Sequence, residues 1–501
     1  MQLMGDLDST ISFVVRPLFP KNLMNISNVF DPDISLQENH WSNLNQSLKP
    51  QNKLFQFQLM PIFWKQQIDS HHPYSRNDGA MIPAKGYQTL LSAGIFAKIG
   101  FLTIQLAPEY IYAANKEFLL SGIKLNGVDL PERFGINPFN KTSWGQSSIR
   151  LNFGPVSAGI SNENLWWGPG RINSLIMSNN ASGFKHITLN TTRPIASPIG
   201  SFEGQFIGGK LESSRIAPFD DTYPEQEWRY LAGMNISYQP KWIPGLFLGM
   251  SRVFQAYNDD VEGFAGYVPY LTPFQKKNTD DGDPFPRDQL TSMYARWVFT
   301  KAKAEVYVEY GLNDNAHDYR DFINAPDHSR AYLFGFSKLV PLKKHTNEAI
   351  EVTAEVVQTS QTVDRYLRNS GSWYTHSEVK HGYTNQGQIM GTGMDLGANI
   401  QSVDVSWVKG LKKIGLSIER YEHNPHYAPI SINGHSRRWV DFAFAGIGEW
   451  NYKNLLFYSK IQGIKSLNYQ WRLNEHDPDQ YYIPHNDVVN FHAELGLMFR
   501  F

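Results

Sequence analysis

Val488-Val489-Asn490-Phe491-His492-Ala493-Glu494-Leu495-Gly496-Leu497-Met498-Phe499-Arg500-Phe501 is the stretch whose reading decides the fold. Successive side chains of an extended chain point to opposite sides. Val489, Phe491, Ala493, Leu495, Leu497, Phe499 and Phe501 therefore form one face, and Asn490, His492, Glu494, Gly496, Met498 and Arg500 the other. A strand that is apolar on one side and polar on the other along its whole length, ending on an aromatic ring, fits the last strand of a transmembrane β-barrel, with a lipid face and a lumen face.

The alternation recurs upstream. Ile149, Leu151 and Phe153 oppose Ser148, Arg150 and Asn152; Ala304, Val306, Val308 and Tyr310 oppose Lys303, Glu305, Tyr307 and Glu309; Ile350, Val352, Ala354 and Val356 oppose Glu351, Thr353 and Glu355. A soluble sandwich shares this period, so the connections must discriminate. Strand-like segments fall near 54–64, 85–99, 101–113, 145–153, 155–162, 184–193, 200–211, 228–239, 244–254, 288–300, 302–311, 329–340, 347–359, 396–408, 412–421, 438–449, 453–463 and 488–501. That makes about 18, an even number as bacterial single-chain barrels require. Tight turns at Gly154-Pro155, 240–244, Thr300-Lys301, 409–411 and 450–453 are interleaved with long links at 65–84, 114–144, 163–183, 255–287, 312–328, 360–395 and 464–487. Short periplasmic turns opposite long external loops are the barrel pattern, and a sandwich has no reason to gather its long loops at one end. The expectation is an all-β closed antiparallel transmembrane barrel over 54–501, preceded by a periplasmic arm over 1–53.

Composition agrees. Charged residues are 19% of the chain, below the usual ~25%, while aromatics reach 14%, and amphipathic rings favour membrane interfaces. Apolar runs such as 90–97 are far shorter than the ~20 residues of a spanning helix. A closed barrel is the remaining way to cross lipid, because a bilayer offers no partner to an open sheet edge. The net charge of −1 and the scattered basic residues exclude a nucleic-acid partner. There is no cysteine, hence no disulfide framework or thiolate metal site. Met1-Gln2-Leu3-Met4 is not a secretion signal, which an outer-membrane protein needs, so the expectation is a processed or trimmed start.

Two segments carry candidate binding chemistry. Asn162-Glu163-Asn164-Leu165-Trp166-Trp167-Gly168-Pro169-Gly170-Arg171 reads as part of an external loop. Paired indoles beside a carboxylate, an amide and a guanidinium offer a flat apolar surface for the C–H face of a sugar and forked groups for its hydroxyls. The same pattern also fits an aromatic girdle pair followed by a Gly-Pro-Gly turn that folds the loop inward. Trp373-Tyr374-Thr375-His376 with His381-Gly382-Tyr383-Thr384-Asn385-Gln386-Gly387-Gln388 forms a second polar, aromatic, glycine-rich loop segment, for which plain loop packing is the alternative.

These two segments, together with Ser178-Asn179-Asn180-Ala181, resemble the Wzi-type capsule-assembly proteins of Gram-negative outer membranes, over roughly the whole chain. The resemblance implies a barrel of about 18 strands and a lectin-like, non-enzymatic role in holding capsular or related surface polysaccharide at the cell exterior. The polysaccharide contacts expected from the chemistry of the two segments are Glu163, Asn164, Trp166, Trp167, Arg171, Trp373, His381, Tyr383, Gln386 and Gln388. The family carries a helical periplasmic segment before the barrel, and the first seven residues resemble only its tail.

Other constellations weigh less. Asn278-Thr279-Asp280-Asp281-Gly282-Asp283 offers oxygen ligands but lacks the bidentate Glu of an EF-hand spacing. Glu422-His423-Asn424-Pro425-His426 holds two histidines about an Asn-Pro turn, with no third metal ligand nearby. There is no Gly-x-Ser-x-Gly elbow. No cofactor, metal or catalytic residue is expected; the partners are surface polysaccharide, outer-membrane lipid and, compatibly, other envelope proteins. The competing function is a diffusion pore, since a barrel of roughly 16 to 18 strands can leave an aqueous channel, and Arg150, Glu305, Glu309, Glu351, Glu355 and Glu494 would suit either lumen. Replacing Phe501 with Ala should impair assembly; undiminished heat-modifiable barrel in outer-membrane fractions of that variant would contradict the assignment of the last strand.

Overall fold

A computed structural model of the chain describes residues 2–4, 10–17, 55–122, 127–216, 228–271, 286–313, 319–324, 328–342, 348–360, 372–424, 438–471 and 486–501. The 278–283 acidic run, His426 and residues 1, 5–9 and 18–53 of the expected arm lie outside them.

Eighteen strands close into one antiparallel barrel. In order they are β1 (Phe55–Asp69), β2 (Gly86–Ile99), β3 (Leu102–Leu106 continued by Glu109–Ala113), β4 (Phe139–Ser143 continued by Ser148–Phe153), β5 (Val156–Ser161), β6 (His186–Thr191 continued by Ile195–Ser197), β7 (Gly200–Leu211), β8 (Arg229–Pro240) and β9 (Leu246–Tyr257). There follow β10 (Arg287–Phe299), β11 (Ala304–Asn313), β12 (Arg330–Pro341), β13 (Ala349–Gln358), β14 (Asn399–Lys409), β15 (Lys412–Glu422), β16 (Val440–Tyr452), β17 (Leu455–Leu467) and β18 (Val488–Phe499). The seam joins β1 to β18, from Ile62 opposite Phe499 to Asp69 opposite His492, so no edge is left for lipid to meet. The strand set matches the sequence reading, with two local differences. Pro108 lacks an N–H and splits β3, and the strand expected from 145 has an upstream piece, Phe139–Ser143, separated by Gly145 at φ 52°.

The faces separate as the alternation requires. Val489 is 67% and Phe491 47% exposed, whereas Asn490 and His492 are buried. Ile149, Val308 and Val356 likewise face outward while Arg150, Glu309 and Glu355 face in. Short turns such as Gly100-Phe101 and Gly410-Leu411 lie at one end, and all long links at the other, the end that faces outward in barrels of this type.

The bore is filled by the chain itself. Two stretches at the long-link end, 162–185 and 372–398, fold into it, and for the first this is the inward fold that its Gly-Pro-Gly turn allows. Gln2–Met4 and residues 10–17 sit there too: Val15–Arg16 pairs antiparallel with Trp166–Trp167, and Ile11 and Val14 are fully buried. The reason is electrostatic satisfaction. Glu355 on β13 accepts the backbone N–H groups of Arg171, Ile172 and Asn173 at 2.9, 3.1 and 2.8 Å. Glu309 on β11 accepts that of Leu175 at 3.3 Å, and Glu203 on β7 that of Ser12 at 2.7 Å. Arg171 reaches Glu305 at 3.1 Å and Glu351 at 2.7 Å. The Gly-Pro-Gly turn makes this approach sterically possible: at Gly168, with φ 144°, a Cβ would stand 2.7 Å from Ser174 Oγ and 2.9 Å from Glu309 Oε2.

Each buried amide left without an acceptor costs about 1–3 kcal/mol. Replacing Glu355 with Ala should therefore speed hydrogen exchange at Arg171, Ile172 and Asn173 by about tenfold or more, with the strands unaffected and Glu355→Gln intermediate. Unchanged protection of those amides would contradict the anchoring role.

Candidate functional site

The residues singled out in the sequence are mostly inside the barrel. Trp167 is fully buried, its indole N–H donating to Gln205 at 2.9 Å, and Trp166 is 5% exposed. Glu163 pairs with Arg150 at 2.6 Å; Asn164 donates to the Ala181 carbonyl at 2.8 Å. Trp373 donates to the Ser329 carbonyl at 2.8 Å, and His381 is hydrogen-bonded to the Tyr257 hydroxyl at 2.8 Å. Tyr383 is fully buried. Of the two readings of the Trp166–Arg171 stretch, the inward-folded link is the one found: wall carboxylates and amides draw it into the bore. Gln386 and Gln388 line the larger cavities at the long-link end. They flank Gly387 in a tight hairpin, Thr384–Asn385 pairing with Gln388–Ile389, whose two central residues have φ of 52° and 80°, as a two-residue hairpin of this twist demands.

The largest aromatic concentration at that end was not anticipated. A cavity of about 230 Å³ is walled by Tyr74, Arg76, Tyr421, Trp439, Tyr469 and Trp471, with His72, Asp395, His423 and Asp441 beside them and Gln388 on its flank. Strand order assembles it. These residues sit at or just beyond the outer ends of β1, β15, β16 and β17, which are neighbours around the closed sheet apart from β18 standing between β17 and β1. Trp439 stacks on His423 at 3.5 Å between centroids and meets Trp471 edge-on at 5.0 Å; His72 lies over Tyr469 at 4.5 Å.

Charged groups orient these rings. Tyr74 donates to Glu419, which also pairs with Arg76 at 2.8 Å, and the Arg76 guanidinium lies 4.6 Å from the Tyr421 ring centre. His423 bridges Asp395 and Asp441, the latter at 2.9 Å. Burial opposes charge on His423, but Asp441 and Asp395 outweigh it and raise its pKa to about 9. Burial lowers that of His72 to about 4, so His72 is neutral at ordinary pH. Nη2 of Arg76 and Nε2 of His72 are buried with no hydrogen-bond partner among the described residues, donor or acceptor capacity that a hydroxyl-rich ligand would meet. No group of three or more potential metal-holding side chains occurs among the described residues.

A family model for the capsule assembly protein Wzi matches residues 77–463. The chain belongs to the Wzi capsule-assembly family. Among solved structures, the Wzi outer-membrane protein of Escherichia coli, described as a carbohydrate-binding β-barrel involved in group 1 capsule assembly, is 15% identical, with 100% of this chain and 96% of that one covered and a TM-score of 0.61. OprB of Pseudomonas putida (11% identity, 92% and 96% covered, TM-score 0.38) and a BenF-like porin of Pseudomonas fluorescens (8%, 90% and 99%, 0.42) are more distant. A search of curated protein sequences finds no match. This Wzi-family chain is accordingly an outer-membrane barrel of the capsule-assembly class, with the lumen plugged by its own links.

The aromatic pocket could have been sought in the sequence only through His423, noted there as one of two histidines about an Asn-Pro turn. The charged form of His423 stabilises the rim fully below the ordinary histidine pKa of about 6.5 and ceases to do so as pH rises through its folded value. Relative to the parent, His423→Gln should lower the heat-denaturation midpoint most near pH 6, and the difference should shrink above the folded pKa of about 9. A difference that grows with pH would contradict this pairing.

Proposed function

We propose that this barrel binds and retains capsular or related surface polysaccharide at the cell exterior, and that the polymer meets it at the aromatic rim pocket. The observation that carries the reading is the disposition of polar groups. Wall residues that would line a water channel, among them Arg229, Glu309 and Glu355, are buried and bonded to inserted chain, while at the long-link end aromatic rings surround a cavity furnished with Arg76 and His72. That favours a binder over a diffusion pore. The likeness to the carbohydrate-binding E. coli barrel supports it.

Trp439 and Trp471 offer ring surface, and Arg76, His72 and Asp395 offer hydrogen bonds to hydroxyls. Trp166, Trp167, Arg171, Trp373, His381 and Tyr383, expected from the sequence to touch polymer, act in this reading by holding the plug on which the rim rests, and Gln386 and Gln388 remain as direct contacts. The outward apolar band lies in lipid, and no catalytic step is invoked. A single sugar stacked on a ring is weakly held, so retention depends on many units of one polymer binding in succession.

Changing Trp439 and Trp471 together to Ala should release polysaccharide into the medium without altering its total amount, in cells whose barrel still assembles. Trp166→Ala with Trp167→Ala should act through the plug, raising bilayer conductance as well as release. Full retention by a correctly assembled Trp439/Trp471 variant would overturn the pocket assignment.

A further inference from the structure

The Gln386-Gly387-Gln388 hairpin is a ridge with a different surface on each side. Gln388 lines both the aromatic pocket and a second cavity of about 350 Å³, and the latter continues into a third of about 160 Å³ through shared walls at Lys141, Ser182, Lys210, Glu212 and Gln386. Together the second and third form one groove running over the outer ends of β4, β6 and β7.

The two sides of the ridge differ in charge. On the aromatic side Arg76 and His423 stand with Glu132, Asp395 and Asp441. Along the groove stand Lys141, Lys185, Lys210 and Arg215, with Glu109 and Glu212 as the carboxylates. Glu109 is buried and accepts from Gln146 at 3.1 Å. Glu212 accepts from Gln386 at 3.0 Å and stands 3.9 Å from Lys210, a separation that leaves the ammonium weakly held. Lys185, Lys210 and Arg215 are exposed. The groove also carries ring surface: Lys210 lies 5.4 Å from the Trp228 ring centre, and Trp144 is 61% exposed.

We propose that this groove is a second subsite of the same polymer site, taking a sugar unit that bears an anionic substituent while an uncharged unit occupies the aromatic pocket across the ridge. The proposal rests on the polysaccharide-binding reading and narrows it to acidic heteropolysaccharides. Cations clustered in a concave site concentrate anions there, Trp228 and Trp144 supply stacking surface for the ring carrying the charge, and the Gln386 and Gln388 amides, set by the tight hairpin, stand where one chain would cross from one cavity to the other. Residues 217–227, between Ile216 and Trp228, lie outside the described residues and carry Asp220, Asp221, Glu225 and Glu227.

The test uses the full chain in nanodiscs and two probes: an oligosaccharide alternating glucuronate with N-acetylglucosamine, and its carboxyl-reduced, uncharged counterpart. The parent should bind the acidic form about tenfold more tightly at low salt, with the preference fading as salt screens it. Lys185→Gln with Lys210→Gln and Arg215→Gln should bring both forms to the same affinity, whereas Trp439→Ala with Trp471→Ala should weaken both alike. Changing the four carboxylates of 217–227 to amides should not weaken the acidic form. Inorganic phosphate competing as effectively as the acidic oligosaccharide would reduce the groove to a general anion site and overturn the subsite. Equal binding of the two forms by the parent, or a preference that survives the triple change, would overturn the groove assignment alone. Binding of neither form would overturn the polysaccharide reading and the groove with it.

Discussion

Polypeptide placed inside a barrel must find partners for its backbone, because the wall spends its own amides on the sheet. Carboxylates on the inner face answer that requirement here. Glu355 takes three successive N–H groups at the tip of the 162–185 link, Glu309 and Glu203 each take one more, and Arg171 closes the set against Glu305 and Glu351. A glutamate row that would give a cation-selective channel if it faced water instead fixes where the inserted chain stops. Everything nearer the mouth depends on this floor: the Trp166-Trp167 pair against Val15–Arg16, the 372–398 link packed through Tyr374 on the Leu175 carbonyl at 2.7 Å, and finally the Gln386-Gly387-Gln388 hairpin.

The consequence for function is a change of location. With the bore filled, the cavities open to the long-link end among the described residues lie at the rim, and the rim is built differently on its two sides. Around β15 to β1, rings project from the ends of neighbouring strands and are set by buried ion pairs, Arg76 with Glu419 and His423 with its two aspartates. Around β4 to β7, cations and two indoles line a groove. Plug and rim are thus one construction, since the hairpin dividing the two cavities belongs to an inserted link.

The barrel was legible in the sequence because its determinants are local. Period-2 alternation such as Val489 to Phe501, and short turns alternating with long links, set the strand number and the sidedness without reference to any distant contact. Only local details escaped, such as the interruption of β3 at Pro108. The plug was legible in part: Trp166-Trp167-Gly168-Pro169-Gly170 stood out, and an inward fold was one of its two readings, but its depth depends on Glu355, 184 positions from Arg171. The rim pocket was not legible. Tyr74, Tyr421, Trp439 and Trp471 stand singly in the sequence, each ordinary beside its neighbours, and they meet only because closure sets β1 near β15 to β17. His423 was noticed, but its partners Asp395 and Asp441 come from other links and strands.

The central claim, that the wall holds a plug and leaves the rim as the site, is tested most directly by the conductance of the unaltered protein in planar bilayers with and without added surface polysaccharide. The account predicts a silent membrane in both cases. A large steady conductance that the polymer blocks would contradict it, because the polymer would then be entering an open bore.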